Sequence, residues 1–297
     1  MTIPACLLAF LLAAEPAKNP FLFNDGDRVV LLGSTLIERE QKYGYWELAL
    51  TLLNKDKNVT FRNLGWSGDT VWCESRGSFD GPKAGFDRTI ALVKELKPTV
   101  IVLCYGQVES FDGPDGVKKF TEGYEKLIDA LAVTKARIVL MTPTPFDDVG
   151  PLREKNANLK LYIDATKSIA ENRSISCWDE FSTRRPVPAL TSSGNNQWAS
   201  TTNGIHLDEK GYFWSSALFT PPLQWPLSRP IDGRDELRQA IIAKNRLYFD
   251  RWRPQNQTYL FGFRKKEQGQ NGKEIAQFDP LIEKAEKEIA ELRKKLK

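Results

Sequence analysis

A chain of 297 residues, 41% of them apolar, can bury the core of one large α/β domain, with or without an appendage. The formal charge of +4 is small for that length. Acids and bases are interspersed, so the electrostatic footprint of a nucleic-acid binder is missing.

Residues 5–14 form an apolar run that is far too short to span a bilayer. The run reads as the h-region of a secretory signal, with small residues at Ala13, Ala14 and Ala17 where cleavage could occur. A positive n-region is absent, which leaves a buried strand or helix as the alternative. The expectation is an exported protein, periplasmic or secreted, with residues 1–18 as the signal peptide. Of the four cysteines, Cys6 would leave with that segment. Cys73, Cys104 and Cys177 show no CxxC spacing, so neither a disulfide framework nor a cysteine metal site is expected. A chain with one histidine is also a poor candidate for a His-based metal site, and no cofactor is implied.

Five short runs rich in β-branched or large apolar residues follow: RVVLLG (28–33), VTFRNLG (59–65), TVIVLCYG (99–106), RIVLMTP (137–143) and SISCWDEF (174–181). The segments between them carry helical spacing. Val117, Phe120, Tyr124, Leu127 and Leu131 share one helix face, and Leu159, Tyr162, Ile163 and Ile169 share another. Strands alternating with helices predict crossover units and a mainly parallel sheet covered on both faces, a three-layer α/β/α sandwich. Lys97-Pro98 stops a helix ahead of the third strand.

After Tyr212 the pattern changes, and residues 224–297 read as a C-terminal extension to a domain spanning 19–223. A helix is predicted over 236–252, then an irregular aromatic stretch, RWRPQNQTYLFGFRKK. From Pro280 a charged helix carries Ile282, Ala285, Ile289, Leu292 and Leu296, spaced 3, 4, 3, 4. That seam is too short to argue a coiled coil. It predicts either a helix packed on the domain or a contact for self-association.

Three strands end in glycine-containing turns with polar groups just beyond them. LLGSTLIERE holds Gly33, Ser34 and Thr35; NLGWSGDT holds Gly65, Ser67, Gly68 and Asp69; CYGQVES holds Gly106, Gln107 and Glu109. Ligands of an open parallel sheet bind at such strand ends, where the strand order reverses. The sole histidine stands in NGIHLDEKGY, Asn203 to Tyr212, at the start of a predicted helix. These four blocks resemble those of the SGNH (GDSL-type) hydrolases over about residues 26–218. The resemblance implies a flavodoxin-like sheet order of 2-1-3-4-5 and ester hydrolysis. It places the nucleophile at Thr35, with Ser34 where the family has aspartate. Gly68 matches the oxyanion-hole glycine, and His206 matches the base. Val108 stands where the family's oxyanion asparagine would be, and Asn203 replaces the acid of the triad.

Such a reaction needs a hydroxyl, a base within hydrogen-bond reach and donors aimed at the developing oxyanion. Thr35 supplies the hydroxyl, with a methyl group that restricts χ1. Asn203 can orient the imidazole but brings no charge; the same acid-to-amide change in a serine-protease triad removes ~10⁴ in kcat. Backbone donors at Thr35 and Gly68 remain, while losing a third donor removes ~10²–10³. The product, ~10⁶–10⁷ or about 8–10 kcal/mol, is an upper bound because such losses are not additive. Gln107, one residue before Val108, is the candidate replacement donor, or it faces solvent. Ser34, Trp66, Trp72 and Glu109 are candidate substrate contacts. Ser34 is also a minor alternative nucleophile, Glu109 an alternative loop anchor, and Asp69 an anchor of the second turn. Trp66, Trp72, Tyr43, Tyr45 and Trp46 suit stacking on sugar faces or ordinary packing. Two functions are therefore expected: an exported esterase acting on a small-molecule or carbohydrate ester, or a sugar-binding protein whose chemistry is impaired. No GxxxxGK[ST] loop supports phosphoryl transfer.

Overall fold

The five apolar runs form the five strands of one all-parallel sheet, β1 (Arg28–Gly33), β2 (Thr60–Asn63), β3 (Val100–Cys104), β4 (Arg137–Met141) and β5 (Ser176–Trp178). Their order is β2-β1-β3-β4-β5, the order implied by the resemblance. The computed structural model describes residues 21–147, 150–183, 200–219, 226–227, 231–267 and 271–296. The expected signal peptide, residues 1–18 with Cys6, lies outside the described residues.

The strands read as continuous apolar runs because both sheet faces are covered. Alternate side chains supply two cores. Val30, Leu32, Ile101, Leu103 and Leu140 pack with Phe120, Tyr124, Leu127 and Tyr162 on one face. Val29, Leu31, Val100, Val102 and Met141 pack with Ile37, Trp46, Leu207 and Tyr212 on the other. The helices of this part of the chain are α1 (Thr35–Tyr43), α2 (Tyr45–Leu53), α3 (Gly81–Glu95), α4 (Val117–Leu131), α5 (Leu152–Asn172), the short α6 (Glu180–Thr183) and α7 (Glu209–Ser215). The predicted face of α4 is the buried one, with Phe120, Tyr124, Leu127 and Leu131 inside. Cys73, Cys104 and Cys177 are free thiols, and burial pushes the Cys177 thiol up to about 11.

The C-terminal extension closes the open edge of this sheet. It comprises α8 (Arg234–Trp252), a single turn α9 (Gln257–Leu260) within the aromatic stretch, and α10 (Phe278–Lys295). β2 is an edge strand, with backbone groups that need partners. The fully buried Lys244 of α8 donates to the Phe61 carbonyl of β2 at 3.1 Å and to Glu47 of α2 at 2.7 Å. Arg62 of β2 pairs with Glu286 of α10, and Arg293 of α10 donates to the Lys57 carbonyl. The apolar seam of α10 is used within the chain: Ile289, Leu292 and Leu296 share a core with Leu237 and Ile241 of α8 and Leu48 and Ala49 of α2. Among the described residues, no helix is long and apolar enough to cross a membrane.

Candidate active site

Thr35 is the first residue of α1, two residues beyond the end of β1, so its side chain stands at the carboxyl edge of the sheet. Its Oγ1 accepts a hydrogen bond from the Gly68 N–H at 3.0 Å. The two positions matched to a nucleophile and an oxyanion donor are therefore in direct contact. Local chemistry sets this up. Gly68 adopts φ +72°, a conformation that costs a glycine little. A Cβ on Gly65 would lie 2.1 Å from the Glu38 backbone nitrogen, so only glycine lets this loop lie against α1. Glu38 then accepts from the Ser67 N–H at 2.5 Å.

The loop has a second anchor that the sequence reading missed. Arg76 is buried; it pairs with Asp69 at 2.5 Å and donates to the Leu64 carbonyl at 2.8 Å and the Gly33 carbonyl at 3.3 Å. One guanidinium thus joins the ends of β1 and β2 to the Gly68 loop, and Asp69 is an anchor. Nothing around Arg76 in the run CESRGS marks it as buried in the sequence.

His206 lies on the loop before α7, and that loop packs on α1. Tyr212 donates through its hydroxyl to the Leu36 carbonyl at 2.7 Å, and Arg39 reaches the Leu207 carbonyl at 3.5 Å. Asn203 and His206 are also in contact, but the polarity matters. Asn203 Oδ1 accepts from the backbone N–H of Ile205 at 3.2 Å and of His206 at 2.9 Å. Those bonds fix the amide, so its NH₂ group is the one 3.2 Å from His206 Nδ1. An amide N–H there makes Nδ1 the acceptor and leaves the neutral ring's proton on Nε2. That is the opposite of the tautomer a triad base needs. Asn203 thus contacts the ring as a donor, and that contact selects the unproductive tautomer. No hydrogen bond joins Thr35 to His206 among the described residues. Burial, and secondarily the charge of Arg39, hold the His206 pKa below its ordinary value.

Other expected contacts are placed elsewhere. Gln107 is buried, and its amide donates to the Thr144 carbonyl at 3.3 Å, which commits the group expected to replace the missing oxyanion donor. Val108 brings no polar side chain. Glu109 is 2% exposed and accepts from the N–H groups of Val71 and Gly106, both at 2.9 Å. It is a strut between the second and third turns rather than a substrate contact, and burial pushes its carboxyl up to about 7.

Ser34 is only 5% exposed, and that burial argues against it as a substrate contact and as an alternative nucleophile. The Trp66 face lies 3.6 Å under the Arg253 guanidinium, and Arg253 pairs with Glu38 at 2.7 Å. Trp72 packs so closely on α4 that a Cβ on Gly123 would fall 2.4 Å from its Nε1. Tyr43 stacks on Tyr212, Tyr45 lies edge-on to Phe213, and Trp46 donates to Ser215 at 2.6 Å. All five aromatics make packing contacts, and Trp46 alone among them is fully buried.

The GDSL-like Lipase/Acylhydrolase family model matches residues 33–213. No curated protein matches the sequence. Among solved structures, a catalytic mutant of Axe2, an acetylxylan esterase from Geobacillus stearothermophilus, superposes with a TM-score of 0.53 at 15% identity, covering 70% of this chain and 99% of that one. The acetyl xylan esterase AlAXEase gives 0.50 at 16% identity, over 64% and 96% of the two chains. A gut microbial diltiazem-metabolizing enzyme gives 0.51 at 17% identity over 69% of this chain; the match spans about half of that enzyme, 48%. At these identities the likeness is one of fold.

Proposed function

The chain belongs to the GDSL-like lipase/acylhydrolase family and is a carboxylic-ester hydrolase; on that premise we propose that it is an exported enzyme that deacylates carbohydrate esters with Thr35 as nucleophile and His206 as base. The observation that carries the assignment is the 3.0 Å bond from the Gly68 N–H to Thr35 Oγ1, which puts the hydroxyl beside a preset oxyanion donor. Export rests on the N-terminal sequence alone. Carbohydrate esters are favoured because two structures of the same fold are acetylxylan esterases.

In this mechanism Oγ1 attacks the acyl carbon as its proton passes to Nε2 of His206. The carbonyl oxygen takes over the Gly68 N–H and gains the Thr35 N–H from the first turn of α1, where helix donors lack intrahelical partners. The imidazolium returns its proton to the departing alcohol, and water releases the acid from acyl-Thr35. The step runs through the minor, Nδ1-protonated tautomer, so a slow enzyme is expected.

The second reading, a sugar-binding protein with impaired chemistry, is favoured by the Asn203 amide at Nδ1. Hydrolysis of 4-nitrophenyl acetate and acetylated xylo-oligosaccharides by the wild type, Thr35→Ala and His206→Ala separates the two. Wild-type turnover that both substitutions abolish supports the catalytic assignment. Equal background rates for all three proteins, with sugar binding retained, would replace it with the binding reading.

A further inference from the structure

Arg39 lies one helical turn after Thr35 on α1, at the i+4 spacing that places two side chains on the same face. Its reach to the Leu207 carbonyl brings it beside the His206 loop, and the imidazole feels its charge. Unlike several other guanidiniums, Arg39 pairs with no carboxylate among the described residues. Arg76 has Asp69, Arg253 has Glu38, and Arg238 has Glu209. Among the described residues, the acids near Arg39 in sequence or across the loop all have partners of their own, although Glu40 uses one oxygen and its Oε2 is buried and unpartnered. Glu38 holds Ser67 and Arg253. Glu40 accepts from the Trp46 N–H, Asp208 caps α7 at Gly211, and Glu209 holds Tyr45 and Arg238. Arg39 is left with one long bond to a carbonyl, and its Nε is buried with no partner among the described residues. A buried donor without an acceptor is a cost unless a ligand supplies one.

We propose that Arg39 is a specificity determinant that binds a carboxylate of the substrate, so that the crevice takes esters bearing a negative charge close to the scissile bond. This rests on the acyl-transfer reading above. The guanidinium presents its donors in a planar fork suited to a carboxylate. The placement gives a role to a positive group standing beside a base whose acid partner has been replaced by Asn203. A carboxylate paired with Arg39 offsets that charge at His206, and the imidazolium that forms during attack is then less disfavoured. The substrate itself restores part of what the change from aspartate to Asn203 removed.

The test compares kcat/KM for charged and neutral partners of matched shape. Monoethyl glutarate against ethyl valerate places the charge on the acyl side; an O-acetylated methyl glucuronoside against the corresponding glucoside places it on the alcohol side. A ten- to hundredfold preference for the charged member of at least one pair is expected, the worth of a charged hydrogen bond. Arg39→Gln should bring that ratio to about one, and Arg39→Lys should restore part of it. No preference in either pair, or a preference that survives Arg39→Gln, overturns the proposal while leaving the acyl-transfer reading intact. If no ester is turned over, that reading fails, and NMR titration of the single histidine decides the fate of Arg39. Succinate or glucuronate should raise the His206 pKa in the wild type and leave it unmoved in Arg39→Gln. An unmoved wild-type titration overturns the anion site.

Discussion

Asn203→Asp tests the central feature of the site with a change of one atom and one charge. Oδ1 keeps both backbone bonds, from Ile205 and His206, so the side chain stays where it is. The other terminal atom, 3.2 Å from Nδ1, turns from donor to acceptor. Nδ1 must then carry the ring proton, and Nε2 becomes free to take one from Thr35. The reverse change in a serine-protease triad removes ~10⁴ in kcat, about 5 kcal/mol, by imposing the wrong tautomer. Val108 still supplies no donor and effects within one catalytic unit are not additive, so a rise of ~10²–10⁴ in kcat on 4-nitrophenyl acetate is expected. The new carboxylate also opposes the depression of the His206 pKa, and an opposite charge this close moves a pKa by about 1–3 pH units. The acid limb of the kcat/KM profile, which reports neutral His206, should therefore move to higher pH. Unchanged kcat in a variant whose ¹⁵N spectrum shows Nδ1 protonated would refute the tautomer argument, because the base would be correct and the rate indifferent to it.

The remaining predictions concern the frame around the site. Lys244→Met leaves Glu47 buried without its counter-charge and should lower stability by about 3–5 kcal/mol in urea denaturation, whereas adding Glu47→Leu should recover most of the loss. Glu109, pushed up to about 7, binds a proton in the folded chain that it has lost in the unfolded chain between about pH 4.5 and 7. Its contribution therefore makes stability fall as pH rises through that window, by on the order of 3 kcal/mol, and level off above it. Glu109→Gln should flatten that slope in urea melts at pH 5 and 7.5, and should lower stability at pH 5 because one of its two backbone N–H partners then faces an NH₂ group. Arg253→Ala uncovers Trp66 and frees Glu38, so the Ser67–Gly68 loop loosens. About tenfold lower kcat with KM little changed is expected, and equal loss of kcat and Tm in Arg253→Lys would point to a purely structural role.

The sheet was legible because burial on both faces writes itself into the sequence as unbroken apolar runs: the β1 run was bounded correctly, and the other four were two to five residues too long. The Thr35–Gly68 contact was legible because strand-end glycines carry a backbone requirement that shows as residue type. Side-chain polarity did not show. Whether Asn203 presents its oxygen or its nitrogen to the ring depends on two backbone N–H groups that no spacing reveals. Glu109 looked like a substrate contact because burial of a carboxylate cannot be read from its neighbours in sequence. Arg39 could have been found, since the helical repeat from Thr35 points to it. Lys244 and Arg76 could not, because their partners come from segments far away in the chain.

The way the last two long helices seal the outer strand has a practical corollary. A version of the protein cut after residue 213, where the family match ends, would strip the ammonium from Glu47 and leave the Phe61 carbonyl on the β2 edge without its donor. Such a fragment should aggregate through that rim rather than behave as a minimal esterase. The hydrolase-like portion and the tail beyond it share a buried ion pair and a common core, so the two should unfold in a single transition.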